Sequence, residues 1–389
     1  MKKLWIFTEL FYPEETSTAF ILTKIANKLA TKFDVVNVVC ANEVKNKENI
    51  SSDFLPNLNI KRFKKIFNDK NSLIIRSLGF IELTIKFFFI LLFKVKNNDK
   101  VFLVTNPAPL VLIVSLLKKL KKFEVVLLVH DVFPENTLSA NIFKNENSVY
   151  YKFLKFIFDK SYQNMSKIIV LGRDMKDIVE QKIKLKKTTE VVIIENWGEN
   201  HKIYPKIRKD NDTIVFQYAG NIGRVQGLHF LFNVISEIKN NKLIFEIIGN
   251  GAEKNNLIEL AEKYQLKNVY FYDSYTRDEQ NDIINRADIA IVTLSKGMYG
   301  LGVPSKFYNI LTAGKPVLYI GEENTEIHKV MSGCDIGYFF KPDDKANLLK
   351  FFETIEKDDS FIKKGENARD LLLNNYTEEI ILEKYLKEI

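Results

Sequence analysis

Hydrophobic and polar positions follow two alternating rhythms along this chain. Short runs of β-branched and apolar residues predict buried strands, and the stretches between them place apolar residues at the spacing of helices. Strand and helix patterns that alternate in this way favour parallel α/β units. The predicted strands cover residues 4–8, 35–40, 101–105, 125–130, 168–171 and 191–194 in the first half, and 214–220, 243–249, 269–272, 289–292, 317–320 and 337–340 in the second.

The alternation of strands and helices stops in a polar and aperiodic stretch between residues 195 and 212. We therefore predict two doubly wound, Rossmann-like domains that face a central cleft, over residues 1–195 and 213–375, with a linker over 196–212. A final periodic segment within residues 376–389 predicts a helix that returns to the first domain. Open parallel sheets bind ligands at the carboxyl ends of their strands, so we expect the functional residues there.

One segment, residues 74–93, interrupts this rhythm with a long and largely apolar helix pattern. Glu82 and Lys86 form a favourable pair one turn apart, and such charges are costly at the centre of a bilayer. A basic cluster at residues 61–65 precedes the helix. Residues 61–96 are therefore interpreted either as a segment in a membrane interface beside anionic headgroups or as a core helix of the first domain.

Composition narrows the class of protein. The chain has 389 residues, 46% hydrophobic and 27% charged, which is typical of a globular protein with two or three domains. Its formal net charge of +8 accompanies abundant Lys, Asn, Ile and Phe, which AT-rich coding alone would produce. The basic residues lack aromatic interleaving, and we expect no nucleic-acid partner.

Cysteine and histidine content limits the chemistry. Cys40 and Cys334 lie far apart, and the four histidines show no metal-binding spacing. We therefore expect no disulfide framework, no metal site and no cofactor. The N-terminal residues predict a first strand rather than a signal peptide, so we expect a cytoplasmic protein.

The sequence GVPSKFYNILTAGKPV at residues 302–317 predicts a helix with an anion-binding end. Pro304 favours an extended backbone before it, and Ser305 is a suitable N-cap for a helix that begins at Lys306. Gly314 is expected to end the helix in the left-handed conformation. Free N–H groups, the positive end of the helix dipole and the ammonium group then favour a diphosphate. An ordinary capped core helix would have the same pattern.

Two glycine-rich turns join strand to helix upstream of this segment. Glycine lets the backbone approach a ligand closely, and Arg224 adds a planar cation that suits phosphate oxygens. Neither turn is a Walker A loop, and turn geometry alone would also account for the glycines. The residues concerned are Gly220, Asn221 and Gly223 in the first turn, and Gly249 and Asn250 in the second.

Taken in order, these motifs resemble those of a known family. The second half contains YAGNIGRVQG, IIGNG, RADIAIVTL and GLGVPSKFYNILTAGKPV, and the first contains FTELFYPEETST, VHDVFPEN and IENWGE. Over essentially its whole length the chain resembles family 4 retaining glycosyltransferases, within them the WbuB-like branch of L-fucosamine (N-acetyl-L-fucosamine) transferases. The resemblance implies a GT-B fold whose second domain binds a UDP-sugar without a metal, and in which Arg224 and Lys306 neutralise the leaving diphosphate.

The chain also departs from the family pattern. Leu301 and Asn309 stand where the family has two glutamates, and Gln226 replaces its usual lysine, so Arg224 must supply that charge. The resemblance and the turns together give the expected donor-binding residues. These are Thr16, Ser17, Gly220, Asn221, Gly223, Gly249, Asn250, Gly302, Val303, Ser305 and Asn309.

The first domain is expected to bind the acceptor. His130 and Asp131 end a predicted buried strand, and Glu135 follows shortly after. An acceptor hydroxyl must lose a proton, so His130 and Asp131 are candidate catalytic residues and Glu135 is a candidate acceptor-binding residue. The alternative is a hydrogen-bonded pair that only holds the strand end.

The resulting prediction is a retaining, metal-independent glycosyltransferase. It moves an N-acetylated deoxyamino sugar from a UDP-sugar to a polyprenyl-diphosphate-linked glycan, at the inner face of the plasma membrane, in capsule or O-antigen assembly. Two alternatives stay open: a UDP-sugar epimerase on the same twin-domain plan, and a nonenzymatic nucleotide-sugar-binding scaffold.

Overall fold

The computed structural model describes residues 2–14, 16–41, 54–67, 73–140, 142–183, 189–206, 208 and 212–389. Contacts divide the chain into two compact units. Unit 1 consists of Met1–Ile194 together with Leu382–Ile389, and unit 2 consists of Glu195–Ile381.

Unit 1 is built on one parallel sheet. Its strands are β1 (Lys3–Phe7), β2 (Val35–Cys40), β3 (Leu58–Arg62), β4 (Lys100–Val104), β5 (Glu124–Val129), β6 (Lys167–Val170) and β7 (Glu190–Ile193). Its helices are α1 (Ser17–Leu29), α2 (Leu73–Phe93), α3 (Pro109–Leu120), α4 (Asn136–Ser139), α5 (Val149–Tyr162) and α6 (Arg173–Ile183). The strands pair in the order β3-β2-β1-β4-β5-β6-β7, and every pair is parallel.

Unit 2 repeats the plan with a second parallel sheet. Its strands are β8 (Ile214–Ala219), β9 (Leu243–Ile248), β10 (Val269–Tyr272), β11 (Ile289–Thr293), β12 (Val317–Ile320) and β13 (Gly337–Phe340). Its helices are α7 (Leu228–Ile235), α8 (Lys254–Lys263), α9 (Gln280–Asn285), α10 (Lys306–Thr312), α11 (Glu326–Gly333), α12 (Lys345–Thr354) and α13 (Asp359–Asn375), and α14 (Glu378–Glu388) ends the chain. The strand order is β10-β9-β8-β11-β12-β13.

In both sheets the strand order reverses once, next to the first strand of the unit, which is the doubly wound pattern. In unit 2, Phe216 of β8 stacks on Phe245 of β9 with ring centroids 5.4 Å apart, and Phe352 of α12 packs edge-on at 5.1 Å. All three rings are fully buried, so β8 is anchored at the centre of its sheet. The predicted α/β class with two doubly wound parallel sheets is confirmed.

The hydrophobic pattern does not predict β3. This strand lies at the edge of its sheet, and only Leu58 among its residues is fully buried. Its last two residues, Lys61 and Arg62, belong to the basic cluster of the sequence analysis. Edge strands exposed on one side carry such charges, and the alternation is then too weak to mark a strand.

The long helix predicted over residues 74–93 is α2. Its two internal charges contact the protein: Glu82 accepts the backbone N–H groups of Ile66 (2.9 Å) and Phe67 (3.2 Å). Lys86 pairs with Glu82 at 2.5 Å. Both charges are therefore satisfied by the protein. No helix in the described part of the chain is long and apolar enough to cross a membrane.

Candidate functional site

A crevice opens in the middle of the unit 2 sheet, between β8 and β11. These strands pair only at Ile289–Phe216 and Ala290–Gln217, whereas β8 pairs with β9 along its whole length. β8 and β11 therefore separate before their carboxyl ends, where the strand order reverses and where open parallel sheets bind ligands. The small cavity there is lined by Gln217, Ala219, Tyr275, Lys306 and Asn309, among others.

The ammonium group of Lys306 lies in this crevice. Part of the residue is accessible to solvent, but Nζ is buried and has no hydrogen-bond partner among the described residues. Nζ lies 3.2 Å from the centroid of the Tyr218 ring. Burial lowers the pKa of Lys306 well below its ordinary value of 10.5, because desolvation disfavours the charged form. A buried group without a partner is costly, and this one is placed to receive an anion that arrives with a ligand.

Two glycines keep the backbone close to this ammonium group. Gly220 has a φ of +143°, and a Cβ atom there would lie 3.5 Å from Nζ of Lys306. Gly249 has a φ of +138°, and its Cβ atom would lie 2.0 Å from the carbonyl oxygen of Gly220. Only glycine fits such a conformation and such a contact. The two predicted turns therefore pack against each other at one edge of the sheet.

The N-terminus of α10 differs from the prediction. Ser305 has helical dihedral angles (φ −63°, ψ −27°), and its side chain makes no capping hydrogen bond. The N–H groups of Phe307 and Tyr308 instead donate to carbonyl groups three residues back, at 3.2 Å. The predicted side-chain cap at Ser305 is wrong, because this tight first turn replaces the extended backbone that an N-cap needs.

The C-terminus of α10 follows the prediction. Gly314 has a φ of +61°, and its N–H donates to the carbonyl of Leu311 at 3.0 Å. The next N–H, of Lys315, donates to the carbonyl of Ile310 at 3.3 Å. These two bonds form a Schellman motif, so Gly314 ends the helix as expected.

Arg224 lies in a short 3-10 turn that follows Gly223, after the carboxyl end of β8. Its side chain is half exposed, and Nε is 3.6 Å from a carboxylate oxygen of Glu253. The other oxygen of Glu253 is 2.9 Å from Nε2 of His229. The hydrogen bond from His229 is the main cause of the lowered pKa of Glu253. A long, exposed ion pair contributes little, so Arg224 can turn to a stronger anion.

Asn309 is tied to residues that the sequence analysis did not single out. Its Oδ1 accepts the backbone N–H of Glu199 at 3.1 Å, and the Glu199 carboxylate pairs with Arg277. Glu199 is buried, and its Oε2 has no hydrogen-bond partner within the described part of the chain. Glu199 belongs to the IENWGE motif, but no local pattern places that motif beside α10. The backbone of Glu199 therefore contacts Asn309, while its buried carboxylate pairs with Arg277.

The other predicted donor residues of unit 2 follow the strands at the same edge. The carbonyl of Asn221 accepts a hydrogen bond from the Tyr218 hydroxyl at 2.5 Å. The side chain of Asn250 donates to Ser274 and accepts from Lys254, both at 3.0 Å, so it is already engaged. Half-buried residues complete the set, namely Gly223, Gly302 and Val303.

In unit 1, Thr16 caps α1. Its Oγ1 accepts the backbone N–H of Ala19 at 3.3 Å, and the exposed Ser17 is the first residue of the helix. The hydroxyl of Thr16 is therefore engaged in capping the helix. Contact of Thr16 or Ser17 with the sugar donor stays a prediction.

His130 and Asp131 follow directly on β5. Their backbone N–H groups donate to the hydroxyl of Thr105, at 3.2 and 3.4 Å. Nε2 of His130 is buried and has no partner among the residues described, and burial lowers the pKa of His130 to about 4. Asp131 is accessible to solvent, yet desolvation by the surrounding protein raises its pKa, while Arg76 opposes the rise. The backbone N–H groups of both residues hold the end of β5 in place. The side chains of His130 and Asp131 are therefore not needed for that purpose.

Glu135 is part of an ion-pair network. The Nζ atom of Lys182 lies 2.7 Å from a carboxylate oxygen of Glu135 and 2.7 Å from one of Asp159. Lys155 contacts the same two carboxylates, at 2.7 and 2.9 Å. Desolvation raises the pKa of Glu135, but the two lysines outweigh it and the pKa is lowered. The carboxylate is thus engaged within unit 1, and its contact with an acceptor stays a prediction.

Two doubly wound sheets, one of them with a crevice at the carboxyl ends of its strands, define a two-domain α/β protein. Residues 199–371 match the family described as "Glycosyl transferases group 1". The chain is also 32% identical over 395 residues to the probable glycosyltransferase WbjE of Pseudomonas aeruginosa, covering 99% of this chain and 97% of WbjE. The chain therefore belongs to the group 1 glycosyltransferases and is a transferase.

Two further comparisons concern a second relative and the fold. The putative colanic acid biosynthesis glycosyl transferase WcaI of Escherichia coli is 27% identical over 148 residues, covering 35% of this chain and 36% of WcaI. The structure of Anabaena HepE in complex with UDP and glucose superimposes with a TM-score of 0.72 at 12% identity, covering 100% of this chain and 99% of HepE. The likeness to the HepE structure confirms the predicted GT-B fold. The fucosamine-transferase branch stays a prediction.

Proposed function

We propose that this protein is a retaining, metal-independent glycosyltransferase of surface-polysaccharide assembly. Its donor is a UDP-linked N-acetylated deoxyamino sugar such as N-acetyl-fucosamine, and its acceptor is a polyprenyl-diphosphate-linked glycan. The buried, unpartnered ammonium group of Lys306 is the observation that carries the proposal. Support comes from WcaI, whose name refers to colanic acid biosynthesis, and from HepE, whose structure contains UDP.

The crevice supplies the charge that the reaction needs. When the glycosidic bond to UDP breaks, negative charge develops on the diphosphate, and preorganised cations stabilise it most in the transition state. Lys306 lies in the crevice, and Arg224 follows the carboxyl end of β8, the strand that forms one side of it. These positive charges would serve in place of a divalent cation. The diphosphate is thus proposed to bind over Gly220, with the ribose near Asn309.

Unit 1 is proposed to bind the acceptor. His130 is neutral at neutral pH, so its imidazole can accept a proton from a hydroxyl or orient that hydroxyl through a hydrogen bond. Asp131, whose pKa is raised, would hold the same group in place. A polyprenyl acceptor lies in a membrane, so the protein is proposed to work as a peripheral protein at the cytoplasmic face of the plasma membrane.

The test is a transfer assay with purified protein, a panel of UDP-sugars and a polyprenyl-diphosphate-linked acceptor, with excess EDTA in a parallel arm. We expect an extended lipid-linked glycan by mass spectrometry, with the donor's anomeric configuration retained in its NMR couplings and no loss of rate with EDTA. Removing one preorganised charge should reduce the rate by about 10²–10³-fold in Lys306→Met, while the exposed control Lys296→Met keeps it. UDP-sugar epimers that interconvert without acceptor, or full transfer by Lys306→Met, would contradict the proposal.

A further inference from the structure

The outward side of α2 is apolar, although surface helices normally present polar residues to water. Its exposed residues recur at three- and four-residue spacing from Leu78 to Phe93, and Phe93 is 71% exposed. The two internal charges, Glu82 and Lys86, are turned to the preceding chain segment instead. Glu82 and Lys86 thus contact the protein, whereas the apolar stripe faces outward. The stripe consists of Leu78, Ile81, Ile85, Phe89 and Phe93.

Two neighbouring helices extend this apolar surface. α2 packs beside α3, and α3 packs beside α5. The chain passes from β3 through α2 to β4, from β4 through α3 to β5, and from β5 through α5 to β6. Each of these connections moves in the same direction across the sheet, so right-handed crossovers place the three helices on one side of it. Their exposed apolar residues are Leu116 and Leu120 on α3, and Val149, Tyr150, Phe153 and Phe156 on α5.

The charge on this surface has one sign. Arg76, Lys119, Lys152 and Lys160 are exposed on the three helices, whereas every Asp or Glu described on them is at least partly buried. Nζ of Lys160 lies 4.2 Å from the centroid of the Phe156 ring, so a cation and an exposed aromatic ring share one position. Large exposed apolar patches with a charged rim mark interaction sites.

We propose that the outer face of α2, α3 and α5 docks onto a membrane that contains anionic lipid. Aromatic and aliphatic side chains would enter the headgroup boundary, and the lysines and Arg76 would meet lipid phosphates. A second copy of the chain fits less well, because symmetric pairing of this face would bring like charges together. The inference rests on the proposed peripheral location, and it places the contact on three helices rather than on residues 61–96 alone.

Vesicle sedimentation tests the proposal with the full chain. Wild-type protein should bind phosphatidylglycerol-containing vesicles more tightly than pure phosphatidylcholine vesicles, and more weakly as salt rises. The double variant Phe89→Glu/Phe156→Glu should reduce the partition coefficient by at least about tenfold for each buried ring lost. Ile362→Glu on α13 is the matched control, since Ile362 is 54% exposed and Phe89 and Phe156 are 52% and 55% exposed. Unchanged melting temperatures would show that all variants fold.

Charge reversal provides a second arm. Lys119→Glu and Lys160→Glu should each weaken binding to anionic vesicles by about fivefold or more, because each basic residue near such a surface contributes about 1 kcal/mol. The alternative occupant of this face is a second copy of the chain, which sedimentation equilibrium without lipid would detect as a dimer. Wild-type vesicle binding that Phe89→Glu/Phe156→Glu leaves unchanged, or a dimer that this variant dissociates, would overturn the proposal.

The outcome is separable from that of the proposed function. Transfer to a short-chain, water-soluble acceptor should be equal in the wild type and in Phe89→Glu/Phe156→Glu. Transfer without vesicle binding by the wild type would refute the docking face and leave the function standing. Vesicle binding through this face without any sugar transfer would refute the proposed function and leave the docking face standing.

Discussion

Lys306→Met is expected to stabilise the free protein while it removes the proposed function. Methionine has a similar length and needs no hydrogen-bond partner, whereas Nζ of Lys306 is buried and finds none among the described residues. A residue that lowers stability in the free protein and matters for the ligand is typical of functional sites. A purely structural lysine would give the opposite result, since its replacement would lower stability.

The size of the change in folding stability on Lys306→Met follows from two opposing contributions. An unsatisfied buried polar group costs about 1–3 kcal/mol, and a desolvated cation–π contact such as the one with Tyr218 returns about 1–2 kcal/mol. We expect a net gain of about 1 kcal/mol for Lys306→Met, which raises the melting temperature of a unit of this size by about 2–4 °C.

The gain in stability from Lys306→Met should depend on pH. The pKa of Lys306 is lower in the folded protein than the ordinary value of 10.5, so the unfolded chain binds more protons between these values. Wild-type stability therefore rises with pH through this window. The advantage of Lys306→Met is fully present below the folded pKa and shrinks as the pH rises towards 10.5.

Thermal denaturation near neutral pH and at about pH 9.5, with and without UDP, measures both effects. UDP at 100 times its Kd should stabilise the wild type by about 2.7 kcal/mol and stabilise Lys306→Met far less. Lys296→Met is the matched control, because the Lys296 side chain is 75% exposed and its loss should change little. A lowered melting temperature in Lys306→Met, or unchanged stabilisation by UDP, would contradict a ligand-binding role for Lys306.

Three further predictions concern the rest of the site. Gly249→Ala should lower the melting temperature and weaken UDP binding in calorimetry, since its Cβ would lie 2.0 Å from the Gly220 carbonyl oxygen. Gly333→Ala is the control and should do neither, because a Cβ at Gly333 meets nothing within 4 Å. His130→Gln should flatten the loss of stability that the wild type shows as the pH falls from 6.5 to about 4, because the buried neutral imidazole gains a proton on unfolding; urea denaturation across this range checks it. Lys182→Met should cost about 3–5 kcal/mol in the same assay, because two carboxylates then share one remaining lysine.

The fold was largely predictable because both sheets are parallel and buried. Strands such as β2, β10, β12 and β13 coincide with the predicted ranges, since continuous apolar runs between helix patterns mark them clearly. β3 was missed because its sequence, LNIKR, is largely polar, whereas the edge strands β10 and β13 are largely aromatic. The exposed side of α2 was also not predictable, because the apolar pattern of the segment does not reveal that Glu82 binds the chain before the helix and pairs with Lys86.

The site was predictable wherever local geometry determines it. Gly314 has the left-handed conformation that its position after α10 predicts, and Gly220 and Gly249 form the close contact that their turns require. Ser305 failed as a cap because sequence does not reveal how tightly the first turn of α10 closes. Glu199 was missed because its contact with Asn309 joins residues far apart in the chain.

A crystal structure of the protein with UDP tests the central claim most directly. The account predicts the diphosphate at the carboxyl ends of β8 and β11, with a phosphate oxygen roughly 2.8 Å from Nζ of Lys306 and with Arg224 turned away from Glu253. A diphosphate bound elsewhere in unit 2, with Lys306 still over the Tyr218 ring and touching no phosphate, would contradict it.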